Sequence, residues 1–322
     1  MHKRSLSMPA LFAAIAFAAA VPACATGGAP AAQASSPPVP LLWKVSEGDN
    51  ALYLLGSFHL LKPSDYPLSK DVDVALADAE SLLFELSPEE MTSPALAAAM
   101  LQAGLRTDGS TLDAELGPAL AATLDAWSDA LPPGTPMSAK MLQRFEPWFA
   151  GLAVSLQQMT SMGLDPELGL DRHFMALASK AGKPVAGLET GAQQVAMFDG
   201  MDPAEQVQML ADALKDAGQG TAQIERLHAD WRAGRADALW GGLAADLRRE
   251  YPKLYRRINV DRNEAWLPVL AARLEAPGDD DTLVVVGAMH LLGDDGVVQG
   301  LRERGYTVER ICSACDGAAA AQ

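Results

Sequence analysis

Two short segments of this 322-residue chain share a pattern that can do chemistry: Gly56-Ser57-Phe58-His59-Leu60 and Gly287-Ala288-Met289-His290-Leu291. Each is G-x-x-H-L placed directly after an apolar run. Glycine lets a chain leave a strand at an unusual dihedral or pass close to another backbone, and the imidazole then lands just beyond the strand's carboxyl end. Two carboxylates occupy the same kind of position, Glu85 in Ser81-Leu82-Leu83-Phe84-Glu85-Leu86 and Glu189 in Pro184-Val185-Ala186-Gly187-Leu188-Glu189-Thr190. In a parallel sheet, four such side chains converge at one edge, which is where open α/β sheets bind ligands. Two imidazoles and two carboxylates near one point can bind a divalent transition metal, or can form a metal-free acid–base set. A lone His or Glu at a strand end is most simply a hydrogen-bonding residue or a helix cap. Repetition of the motif is what makes His59 and His290 site candidates. His173, beside Phe174 and Leu177, reads as a residue inside an amphipathic helix, and His228 as one on a helix surface.

The elements that must position these groups are visible as short apolar runs at Leu41–Val45, Ala51–Leu55, Leu82–Leu86, Pro184–Leu188, Thr282–Val286 and Tyr306–Ile311, all read as strands. Ser46–Asn50 separates the first two as a turn-forming cluster, so they form a hairpin. Helical spacing over Pro67–Ala79 links the second run to the third as a strand–helix–strand unit, which favours parallel pairing. Leu170–Ala181 with Gly182 as its stop gives a second such unit, and Gly296–Arg304 with Gly305 a third. The long interiors, about 90–160 and 191–276, are rich in Ala, Leu, Gln and Met and read as helical. The expected architecture is therefore an α/β core over 41–316, with a largely parallel mixed sheet built from both chain ends and helical insertions forming a cap. Residues 317–322 are expected to be a disordered tail.

With 49% hydrophobic and 20% charged residues, the chain can bury a substantial core. A formal charge of −16 excludes a phosphate-backbone binder, so no nucleic-acid partner is expected. His2, Lys3 and Arg4 precede an uncharged stretch from Leu6 to Ala20, a secretory signal too short for a permanent span. Ala23-Cys24-Ala25 fits a soluble cleavage site, whereas Val21-Pro22-Ala23-Cys24 resembles a lipobox that would lipidate Cys24. The Ala/Pro/Ser tether over 25–40 tips the reading toward a lipoprotein, periplasmic and touching membrane only through its anchor, with 1–24 as the signal. Either way Cys312 and Cys315 remain as a pair. So close to the chain end, they suit a disulfide staple better than a redox centre.

At these residues the chain resembles the TraB/PrgY/GumN family, and its bacterial GumN-like branch in particular. The resemblance spans about 41–311 and rests on GSFHL and GAMHL, on FEL around Glu85, on GKPVAGLET around Glu189, on Glu146-Pro147-Trp148, and on Asp261-Arg262-Asn263 with Trp266. It implies a fold related to the erythromycin-esterase and ChaN-like group, with a site built from the two G-x-x-H histidines and the glutamates. Tiki relatives are described as manganese- or cobalt-dependent peptidases. Matched by position, His59 and His290 are the family histidines, Glu85 and Glu189 its glutamates, and Arg262 belongs to its Arg-Asn motif.

Arg262 could grip a substrate carboxylate or stabilise an oxyanion, or it could form a salt bridge that orients Glu85 or Glu189. Asn263 could orient a ligand, though helix capping is the simpler role. Trp148 and Trp266 suit core packing better than substrate platforms. The leading expectation is an extracytoplasmic, peptidase-like hydrolase with manganese, cobalt or zinc held by His59, His290 and Glu85, and a glutamate as general base. Two alternatives stand beside it. One is an envelope protein that binds a peptide, haem or saccharide without turnover, and the other a metal-free His/Glu esterase. No G-x-S-x-G elbow supports a serine nucleophile.

Overall fold

A computed structural model describes residues 36–135 and 137–315. The segment read as a secretory signal, Cys24, most of the expected tether and the expected tail at 317–322 lie outside the described residues.

All six apolar runs form strands: β1 (Leu42–Glu47), β2 (Asn50–Ser57), β3 (Ser81–Phe84), β4 (Val185–Gly187), β5 (Thr282–Gly287) and β6 (Thr307–Arg310). They make one sheet in the order β4-β3-β5-β2-β1-β6. β2 pairs parallel with β5, and β3 pairs parallel with both β5 and β4. The β1–β2 hairpin is antiparallel, with Glu47 opposite Asn50. β6 does not join β5 after its intervening helix. It crosses to the far edge and pairs antiparallel with β1, so β1 alone runs against the other five strands.

β2 and β5 are buried at every residue, as expected of strands covered on both faces, and their sequences are continuous apolar runs rather than alternating ones. Helices cover them: Asp261–Leu274 packs on β2 and Leu170–Ala181 on β5. Helix Leu170–Ala181 ends where the sequence placed its stop, with Gly182 at φ 67°, a conformation in which a side chain would be strained. The long interiors are helical, and Pro147–Ser161 packs along Pro203–Gln219. Among the described residues no helix is long and apolar enough to cross a membrane. Cys312 and Cys315 form a disulfide with their Cα atoms 5.4 Å apart.

Candidate functional site

Register explains why the two motifs meet. In the parallel β2–β5 pair, Gly56 lies opposite Val286 and Ser57 opposite Gly287, so GSFHL and GAMHL leave the sheet side by side. Gly56 is required by close approach, since a Cβ there would stand 3.1 Å from the Leu41 Cβ and 3.3 Å from the Ala288 Cα. Its carbonyl accepts from the Trp231 indole at 2.9 Å. Phe84 pairs with Val285, and the next residue, Glu85, turns its carboxylate back so that Oε1 accepts from the Gly287 N–H at 2.8 Å. The Glu189 N–H donates to the Glu85 carbonyl, which fixes the ends of β3 and β4 together.

His59, Glu85, Glu189, Arg262 and His290 therefore form one cluster, with each side chain 8% exposed or less. Arg262 stands at its centre. Its Nε donates to Glu189 Oε2 at 2.9 Å, and its Nη2 donates to both Glu189 Oε1 and Glu85 Oε2 at 2.5 Å. Its Nη1 donates to the Ile258 carbonyl at 3.2 Å and to His290 Nε2 at 2.8 Å. A guanidinium carries five N–H donors, and all five are directed at protein acceptors. Of the two roles the sequence allowed, the geometry gives Arg262 the orienting salt bridge and not the substrate clamp, because no N–H remains for a substrate oxygen.

The same accounting settles His290. Arg262 cannot accept, so His290 Nε2 is the acceptor and Nδ1 carries the proton, donated to Asn263 Oδ1 at 2.7 Å. Asn263 Nδ2 in turn donates to the Asp295 carbonyl at 2.8 Å. Asn263 is thus neither a helix cap nor open to a ligand; it fixes the His290 tautomer. Trp266, 1% exposed, packs on both groups, 4.5 Å from the His290 ring and 4.8 Å from the guanidinium carbon. Trp148 is fully buried, also as expected of a core aromatic.

His59 is held differently. Its Nδ1 donates to Asp171 Oδ1 at 3.0 Å, while its buried Nε2 makes no hydrogen bond and lies 3.9 Å from Glu85 Oε1. Asp171 also accepts from the Ser57 hydroxyl at 3.1 Å. Asp171 was not among the residues singled out from the sequence. The signal is Gly169: a Cβ there would sit 2.3 Å from the His59 carbonyl, so only glycine lets the start of helix Leu170–Ala181 dock on the GSFHL turn. His173 itself stays out of the cluster, half-buried with its ring 4.4 Å from that of Tyr66. His228 is not a plain surface residue. Its Nε2 contacts the buried Asp65 carboxylate at 2.8 Å, and its ring packs on Trp231.

Electrostatics sharpen the division. Burial alone would raise the Glu85 pKa, but the Arg262 guanidinium, together with His290, His59 and the Gly287 N–H, outweighs it and holds the carboxyl down at about 2. Burial alone would lower His59, yet the Asp171 carboxylate, aided by Glu85, raises it above its usual value. The site holds three carboxylates, Glu85 and Glu189 on the Arg262 guanidinium and Asp171 on His59, against that one guanidinium.

A metal held by His59, His290 and Glu85 was the expected centre. Both Nε2 atoms do lie 3.9 Å from Glu85 Oε1, but the His290 lone pair is already taken by Arg262. That leaves His59 Nε2 and Glu85 Oε1 as the donors with a lone pair to offer, and among the described residues no group of three His, Cys, Asp or Glu is arranged to hold an ion.

The family model described as TraB/PrgY/gumN family matches residues 41–310, most of the chain. No curated protein and no solved structure matches it.

Proposed function

The chain belongs to the TraB/PrgY/gumN family, and from that premise we propose that it is a hydrolase acting on an extracytoplasmic carbonyl compound, peptides first, with His59 as the proton acceptor. The observation that carries this reading is the His59 imidazole, held through Nδ1 by Asp171, with a buried Nε2 that no protein group uses. A base needs both features, a fixed tautomer and a lone pair aimed at open chemistry.

In this scheme a water between His59 Nε2 and Glu85 Oε1 gives a proton to Nε2 as its oxygen bonds to the carbonyl carbon. Asp171 and Glu85 stabilise the imidazolium. The proton then passes from Nε2 to the leaving nitrogen or oxygen as its bond to carbon breaks. Arg262 keeps Glu85 ionised and holds both glutamates in place, so that Glu85 faces His59 as a carboxylate.

A second reading, a divalent cation such as manganese, cobalt or zinc, is favoured by the charge count of three carboxylates against one guanidinium. His59 and Glu85 would hold it, and it would supply Lewis-acid polarisation of the carbonyl. His290 could join only if Arg262 released its lone pair.

Purified protein incubated with fluorogenic peptides, aryl esters and a lactone, with and without chelator, separates these readings. Turnover that survives chelation and vanishes in His59→Asn supports the first. Turnover abolished by chelation and restored by added metal supports the second. Full activity in His59→Asn overturns both.

A further inference from the structure

Away from the histidine–glutamate cluster, a cavity of about 330 Å³ opens between β1, helix Ala236–Trp240, the turn after His290 and helix Val297–Glu303. Its size falls within the range of about 300–1,000 Å³ common for small-molecule sites. Two indoles, Trp43 and Trp240, line it, with Asp237, Asp294, Gln299 and Arg302 around them. Trp43 is fixed in the sheet and is 2% exposed, with the Arg310 guanidinium 4.6 Å from its ring. Trp240 is fixed by its neighbours. Gly293, at φ 77°, leaves no room for a side chain because the ring lies 2.5 Å from where a Cβ would stand, and Tyr255 meets the same ring edge-on at 6.2 Å. Arg302 forms no salt bridge among the described residues, although it sits in a strongly acidic chain.

The surrounding charges select the ligand. Two carboxylates disfavour an anion, and the guanidinium disfavours a cation. A neutral ring with apolar C–H faces and a rim of hydroxyls meets both demands, because the faces cover indole while the hydroxyls donate to Asp and accept from Arg and Gln. We propose that this cavity is a second binding site, for a saccharide unit. The site is independent of the reaction assigned to His59.

The test uses the full chain and four probes: glucose, N-acetylglucosamine, cellobiose and chitobiose. Indole N–H resonances are followed by NMR, with Trp240 assigned from Trp240→Phe. At least one sugar is expected to shift the Trp240 resonance saturably, and in Trp240→Ala, titrated by calorimetry against the same sugar, affinity is expected to be weakened about tenfold. Gln299→Ala, at a half-buried position, and Arg302→Glu, at an exposed one, should weaken it about threefold and guard against misfolding of the Trp240 variant. His59→Asn should bind normally. The proposal falls if no sugar shifts Trp240 up to about 20 mM, if all three cavity variants bind as wild type does, or if inorganic phosphate or choline saturates the site while the sugars do not.

Discussion

The two histidines come from matching motifs on neighbouring strands, yet their surroundings differ. His290 is enclosed by committed partners, with Asn263 on one nitrogen and Arg262 on the other. His59 is gripped on one side by Asp171 and left without a hydrogen bond on the other. A shared motif therefore places two imidazoles alike without giving them one role. On the proposed reading, the half around Arg262 is a scaffold and the half around His59 is where a proton moves.

The largest expected effect tests the His59 half. His59→Asn should lower kcat/KM by about 10²–10⁴-fold, the usual worth of a general base, while the thermal midpoint stays within a few degrees. A large fall in stability with activity per folded molecule intact would reverse the comparison. Next, Arg262→Met leaves Glu85 and Glu189 buried without their counter-ion and should cost about 3–5 kcal/mol in denaturant unfolding. An Arg262 variant that is stable but inactive would instead make it part of the reacting group.

Acid separates the halves more gently. Because the folded Glu85 pKa is depressed, its contribution to stability is complete above the unfolded carboxylate value near about 4.3 and is lost as pH falls toward about 2. Unfolding followed between these pH values should show that slope in the wild type and lose it in Arg262→Met. His59 has the opposite sign. Its raised pKa gives stability that is full below about 6.5 and disappears as pH rises through the folded value. The smallest effect concerns that group. Asp171→Asn should move the acid limb of the kcat/KM profile to lower pH, since the carboxylate is what raises His59. An unmoved limb would place the titrating base elsewhere.

Much of this was legible from residue order. Continuous apolar runs marked six strands, and a carboxylate or imidazole just past four of them marked the cluster, because parallel strands end at one edge. What escaped was whatever depends on partners from afar. Asp171 looks like an ordinary first-turn acid, and only the docking of Gly169 on the His59 carbonyl brings it to the imidazole. Arg262 was identified as a site residue, but its role could not be chosen until five acceptors were counted around it. His228 follows the same rule, since its partner Asp65 is 163 residues away. The β6 crossover was hidden because helical spacing before a strand says nothing about which edge the strand will join.

The position of β5 also bears on how the molecule comes into being. This strand lies between β3 and β2 in the sheet but begins only at Thr282, so the middle of the core is synthesised near the end. A chain growing from its amino terminus carries β2 and β3 with an open slot between them until late. GAMHL then arrives on the strand that fills the slot, and Gly287 supplies the amide that Glu85 awaits. Assembly of the sheet and assembly of the cluster are thus one late event. A fragment ending before β5 would expose unpaired strand edges and would lack the Gly287 amide and the His290 ring that complete the cluster.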